Sequence, residues 1–209
     1  MEDKQRHRRL RLLIKKLNKD RKKQNQKIDI LCNDLIAAQR NFIKRLGIIS
    51  FVANFYESII GTADLNKLLY TAVEFIKAEN EDANITFFLR HEESFELHIF
   101  ESGRPIAVEK QYIENCFSQE LIDSISKSNK VCTIDDMFSM GLHGNLNELN
   151  KISAVTIPLG LLGSSLGFIL VYRSSENKLT ADEIGRISAV ISGLSRAITS
   201  CQTLSSAAD

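Results

Sequence analysis

A hydrophobic repeat of seven residues runs through the first sixty positions and constrains this chain more than any other feature. Its a positions are His7, Ile14, Arg21, Ile28, Leu35, Phe42, Ile49 and Tyr56. Its d positions are Leu10, Leu17, Gln24, Leu31, Ala38, Arg45, Val52 and Ile59. A heptad pattern sustained this long predicts a coiled coil rather than a lone amphipathic helix. No glycine or proline interrupts the run before Gly47, which lies off the seam. A rod of this kind cannot bury its stripe against itself, and the simplest partner is a second copy of the chain. Leu10, Ile14, Leu17, Ile28, Leu31, Leu35, Phe42, Ile49 and Val52 are the expected contacts of a parallel homodimer. Arg21, Gln24 and Arg45 interrupt the seam; polar residues there set register or loosen the coil locally, so firm pairing is expected from Ile28 onward.

Charge is unevenly spread over the same segment. Residues 1–27 hold twelve lysines and arginines against Glu2, Asp3 and Asp20, a net +9, which leaves −8 for the remainder of a chain whose total is +1. Arg8, Arg9, Arg11, Lys15, Lys16, Lys22 and Lys23 are candidates to bind nucleic acid phosphates or an anionic membrane face. The segment has no aromatic residue to stack bases and lacks the Asn/Arg-rich signature of a leucine-zipper basic region, although basic-then-heptad is the right order for one. A solvated helix start that keeps the coil soluble explains the run equally well.

Hydrophobic content of 44% and charged content of 25% are those of an ordinary soluble globular protein. The length suits one domain beyond the rod. Cys32, Cys116, Cys132 and Cys201 are scattered, with no CxxC and no histidine at metal spacing, which predicts reduced thiols in a cytoplasmic protein. No apolar core and cleavage site follow the basic start, so no signal peptide is expected. The longest apolar stretches, 154–162 and 166–172, are too short to cross a bilayer.

After a stop near Gly61, Thr62 and Asp64 are cap candidates for a helix over 64–77 whose apolar residues share one face. Residues 85–90 and 95–100 read as an antiparallel hairpin. A turn at 102–105 and a brief extended piece at 106–108 follow. A helix over 112–127 breaks near Ser118, a short strand occupies 131–134, and 135–150 reads as irregular with a turn of helix at 147–149. Two stronger strands, 152–158 and 166–172, precede a last helix opened by a Thr180/Glu183 capping box, and 202–209 should fray. Strands run together with helices at the ends, which predicts an α+β fold: an antiparallel sheet with helices packed on one face.

The run Ser153-Ala154-Val155-Thr156-Ile157-Pro158-Leu159, then Leu166-Gly167-Phe168-Ile169-Leu170-Val171-Tyr172, then Leu179-Thr180-Ala181-Asp182-Glu183, resembles the end of a GAF domain. Asp64–Leu69 and Ile85–Leu89 agree with that family in order and spacing. The resemblance covers about 48–200 and divides the chain into a basic coiled-coil helix (1–47), a GAF-like domain (48–200) and a flexible tail (201–209). It implies a sensory or regulatory domain that dimerises through its end helices and serves a signalling protein partner. Neither the Asn-Lys-x-Asp/Glu signature of cyclic-nucleotide-binding members nor the Cys–His pair of bilin-attaching members is present, so no cofactor is named.

The candidate pocket is His143, in the loop Gly141-Leu142-His143-Gly144, with His98, Phe100, Phe117 and Phe138. His143 is a candidate to ligate a haem or to hydrogen-bond a ligand, although with no second ligand beside it an ordinary surface histidine is the simpler reading. Phe87, Leu89, Ile134, Val155 and Ile157 would line the same cavity or fill an ordinary core. Cys116 and Cys132 flank the region as candidate redox thiols or as small buried hydrophobes. No paired carboxylates, phosphate-binding glycine loop, HExxH or GxSxG appears, so the expectation is a binding module and not an enzyme. The expected role is a dimeric sensor for a small molecule or partner protein. The alternatives are a ligand-free docking adaptor, or nucleic-acid or membrane binding through 4–27.

Overall fold

The computed structural model describes residues 2–91, 94–101, 103, 112–161 and 164–206. The chain forms two compact units, Met1–Ile49 and Ser50–Asp209. The first helix, α1 (Glu2–Ile59), supplies the whole of the first unit. In that unit Leu10, Ile14, Leu17, Ile28, Leu31, Leu35, Phe42 and Ile49 are all exposed along the single chain.

From Ser50 the helix obeys a different spacing. Phe51, Phe55 and Ile59, four residues apart, are buried in the core of the second unit. Phe75 packs its ring against both phenylalanines, at 4.9 and 5.3 Å between centroids. Val52, expected as a seam contact, is half-buried against this same core, as is Tyr56. The heptad register therefore yields here to the steeper stripe that faces a globular core. Gly61, at φ +79°, takes the left-handed conformation just past the helix end.

Helix α2 (Leu65–Lys77) starts where expected, because the Asp64 side chain accepts a hydrogen bond from the Lys67 amide at 2.7 Å. Strands β1 (Asn84–His91) and β2 (Ser94–Phe100) form the expected hairpin. Then come α3 (Tyr112–Asn115) and α4 (Gln119–Ser128), separated by Ser118, which caps α4. The short β3 (Cys132–Thr133) leads directly into α5 (Ile134–Ser139) and α6 (Leu146–Leu149). Strands β4 (Ile152–Leu161) and β5 (Ser164–Ser174) precede α7 (Ala181–Ser206). The five strands lie in the order β2-β1-β5-β4-β3 with every neighbouring pair antiparallel. Gly167, at φ +122°, lets β5 pass β1: a Cβ there would lie 1.8 Å from the Phe88 carbonyl oxygen.

The long helices gather on one face of the sheet, as the sequence predicts. Phe87, Leu89, Val155, Ile157, Ile169 and Val171 pack there against the end of α1, α2 and α7. The opposite face is not open. Phe88, Ala154, Phe168, Leu170 and Tyr172 are covered by residues of the short helices α3 to α6. The reason is visible in the strands: Asn84–Leu89 is buried at every position, so both faces demand cover.

Two further differences have local causes. The first half of 135–150, read as irregular, contains α5, because Thr133 and Asp136 form a capping box. Helix α7 does not end at 200. Cys201 continues the buried stripe from Leu194 and Ile198, is 1% exposed, and the helix runs on through Ser206. The extended piece expected at 106–108 lies outside the described residues.

Candidate functional site

On the second face, strand alternation turns Thr86 of β1 and Tyr172 of β5 to the same side, and α3 lays Glu114 over them. Glu114 is 4% exposed. Its Oε1 accepts hydrogen bonds from the Tyr172 hydroxyl at 2.6 Å and the Thr86 hydroxyl at 2.9 Å. Its Oε2 is buried and has no hydrogen-bond partner among the described residues. Burial, reinforced by the hydrogen bond to Glu114, pushes the Tyr172 phenol far above its ordinary range, so Tyr172 remains a donor at any physiological pH. A carboxyl group removed from water without a cation beside it is costly unless it is protonated or meets a donor. Oε2 is thus left to accept a hydrogen bond from an incoming cationic or N–H group.

Beside this group three aromatic rings fill the same side. The Phe88 and Phe168 rings stack with centroids 4.6 Å apart, and Phe117 lies 5.1 Å from Phe88 and 6.0 Å from Phe168.

The residue after Tyr172 faces the other way. Arg173, 3% exposed, turns toward the long helices and is fully engaged. Its Nη2 donates to both carboxylate oxygens of Glu183, at 2.8 and 2.9 Å, in the first turn of α7. Its Nη1 reaches Asp82 at 3.3 Å, and the carbonyls of Asn177 and Lys178 accept at 2.6 and 2.8 Å. Burial alone would push Glu183 up. Hydrogen bonds from Thr180 and the Arg173 guanidinium together outweigh it and hold the carboxyl below its ordinary range.

The structure does not bring the five expected pocket residues together. His98 pairs across the hairpin with Phe87, and Phe100 sets its ring edge-on to Phe87 at 6.0 Å; both belong to the long-helix face. His98 Nε2 is buried 3.4 Å from Glu96 Oε1, close enough for an ion pair but not aligned as a hydrogen bond. Phe117 and Phe138 lie on the opposite face, the first in the core and the second half-buried against it. His143 is exposed on its loop. The spacing of His98 and Phe100 shows that they share a face; only the hairpin register decides which one.

Cys116 is half-buried, donates to the Tyr112 carbonyl at 3.3 Å, and is pushed up chiefly by burial, which disfavours a reactive thiolate. Cys132 is buried and donates to the Lys130 carbonyl at 3.4 Å. Among the described residues no cluster of His, Cys, Asp or Glu is placed to hold a metal ion. Among them, too, no helix is long and apolar enough to cross a membrane.

Sequence reasoning missed Glu114, Thr86 and Tyr172. A signal for Glu114 exists: it is an acid flanked by Ile113 and Phe117 on the apolar side of a short helix. Its partners come from strands 28 and 58 residues away, which no local pattern reveals.

A concavity of about 440 Å³ opens between the end of α1 and α7, lined by Tyr56, Gly61, Ser192, Gly193 and Arg196 among others. The Tyr56 ring occupies the space where a Cβ on Gly193 would stand, 2.0 Å from its nearest carbon.

No family model matches the sequence, and neither does any curated protein. Solved structures do match. A GAF domain of an Acinetobacter phosphoenolpyruvate-protein phosphotransferase superposes with a TM-score of 0.55 at 12% identity, over 76% of this chain and 97% of that one. The GAF domain/HD domain protein from Geobacter sulfurreducens gives 0.52 at 12% identity, over 68% and 95%. The GAF domain of a two-component sensor histidine kinase from Bacillus halodurans gives 0.51 at 15% identity, over 69% and 99%. The chain therefore carries the GAF fold, as the resemblance of its closing strands and helix implies.

Proposed function

We propose that this GAF-fold chain is a dimeric regulatory domain that senses a small molecule or partner protein and relays its binding through its end helices and coiled coil. Its role is binding and not catalysis, and its setting is the cytoplasm. The observation that carries the reading is the back-to-back pair on β5. Tyr172 holds the buried Glu114 on one face while the adjacent Arg173 grips Glu183 at the start of α7 on the other. A donor or cation arriving at Glu114 Oε2 draws on the charge that Tyr172 and Thr86 now share. A shift of Tyr172 is passed through a single peptide to Arg173 and into the first turn of α7. A ligand with different affinity for the two arrangements then shifts their populations. The occurrence of the same fold in a sensor histidine kinase supports this reading.

The ring stack of Phe88, Phe117 and Phe168 favours a second reading, a ligand-free docking adaptor whose cavity is filled by its own side chains.

Two measurements on the full chain test the proposal. Sedimentation at tens of micromolar is expected to give a dimer, and a single-subunit mass overturns the dimeric mechanism. A thermal-shift screen with nucleotides, haem and small metabolites is expected to find a compound that stabilises the wild type but not Glu114→Gln. Stabilisation by none of them removes the small-molecule reading in favour of docking.

A further inference from the structure

Residues 4–27 carry an ordered charge pattern that the sensor role does not use. Arg8–Arg9, Lys15–Lys16 and Lys22–Lys23 are three dibasic pairs at intervals of seven residues on the continuous helix α1. At 1.5 Å per residue they stand about 10.5 Å apart along the axis. In the register of the apolar seam they occupy b and c of three successive heptads, the positions turned away from a and d. Lys4, Arg11 and Lys19 fall beside them, so that nine cations share an arc of about 160° at 3.6 residues per turn. Asp20 is the only acid between Lys4 and Lys27. Every side chain in this segment is exposed, and none of the ion pairs found among the described residues involves these cations.

Such a face does not serve the rod itself. Like charges three and four residues apart, as at Lys4/Arg8, Arg11/Lys15 and Lys15/Lys19, destabilise a helix. Pairing between coiled-coil strands uses e and g, not b and c. We infer that this face is a docking track for the phosphate backbone of double-stranded nucleic acid, engaged without sequence readout. The absence of any aromatic residue before Phe42 removes the stacking platform that a single strand requires. A bilayer is disfavoured once the seam is paired, because Leu10, Ile14 and Leu17 are then occupied by the partner helix. A helix lying on a membrane needs a free apolar side to sink among the lipids, and a paired seam leaves none. The inference uses residues 4–27 alone and does not rest on the sensor reading.

The test uses the full chain and a random-sequence duplex of about 25 base pairs, with binding followed by fluorescence anisotropy between about 50 and 200 mM salt. The expected result is binding that weakens steeply as salt rises. The variant Lys15→Gln/Lys16→Gln/Lys22→Gln/Lys23→Gln should bind at least about tenfold more weakly at low salt, with a log–log salt slope shallower by up to about 3.6, since each phosphate no longer neutralised removes about 0.9. Arg8→Gln/Arg9→Gln should show the same effect at half the slope change, which separates charge loss from misfolding of either variant. No duplex binding at the lowest salt overturns the inference. So does an unchanged slope in both variants, tighter binding to a single strand of equal length, or binding to phosphatidylserine vesicles without binding to duplex.

Discussion

The two faces of the sheet bury charge in opposite ways. On the long-helix side Arg173 meets two carboxylates and two carbonyls, and every one of these bonds ties neighbouring segments together. On the short-helix side Glu114 has two donors on one oxygen and, among the described residues, none on the other. The first arrangement is what a structural clasp requires, since a buried charge is tolerated when it is fully paired. The second leaves part of a buried group's bonding capacity unused, which is the mark of a position kept for something other than stability.

The largest effect should come from breaking the clasp. Arg173→Met strands Asp82 and Glu183 without their cation and should cost about 3–5 kcal/mol in denaturant unfolding. On the other face Tyr172→Phe leaves Glu114 with Thr86 alone and should cost about 1–3 kcal/mol by the same measurement. If the two variants lose equal stability, the contrast between the faces disappears.

A smaller effect separates the clasp from its cap. Glu183 titrates below its ordinary value of 4.5 in the folded chain. Its contribution is therefore fully present above that pH and is lost as pH falls through the lower folded value. Thermal melts should show stability dropping in that acid window. Thr180→Ala, which removes two of the hydrogen bonds between this cap and Glu183, should lower stability at neutral pH by about 1 kcal/mol and flatten the acid dependence.

The smallest change is expected from the most drastic substitution. Replacing the whole polar trio, Thr86→Val/Glu114→Leu/Tyr172→Phe, removes the buried polar groups together and puts apolar ones of similar size in their place. Such an exchange should leave stability within about 1 kcal/mol of wild type or raise it. A large loss would make Glu114 as structural as Arg173.

Much of this architecture is legible in the chain. The seven-residue spacing announces a long helix. Asp64 and Thr180 announce helix starts, Ser118 announces a break, and the run Phe87-Phe88-Leu89 announces a strand. The site is not legible, because it is made of parity and register. His98 and Phe100 fall on the face away from Phe117 through the pairing of Phe87 with His98, and a shift of one residue in that hairpin would have reversed them. Helix α5 is hidden because six residues carry too little periodicity to show, although its capping box is there to be read.

The sequence by itself determined the elements and their order: helix periodicity, caps and strand alternation are local, set by neighbours within a few positions. Tertiary structure alone decided which residues meet. Glu114, Thr86 and Tyr172 come from three separate elements. Val52 leaves its heptad for a globular core, and Arg173 finds Asp82 across 91 residues. These choices depend on the register of antiparallel strands and on how helices share the area beneath them, and both are settled only when distant segments compete to bury the same surface.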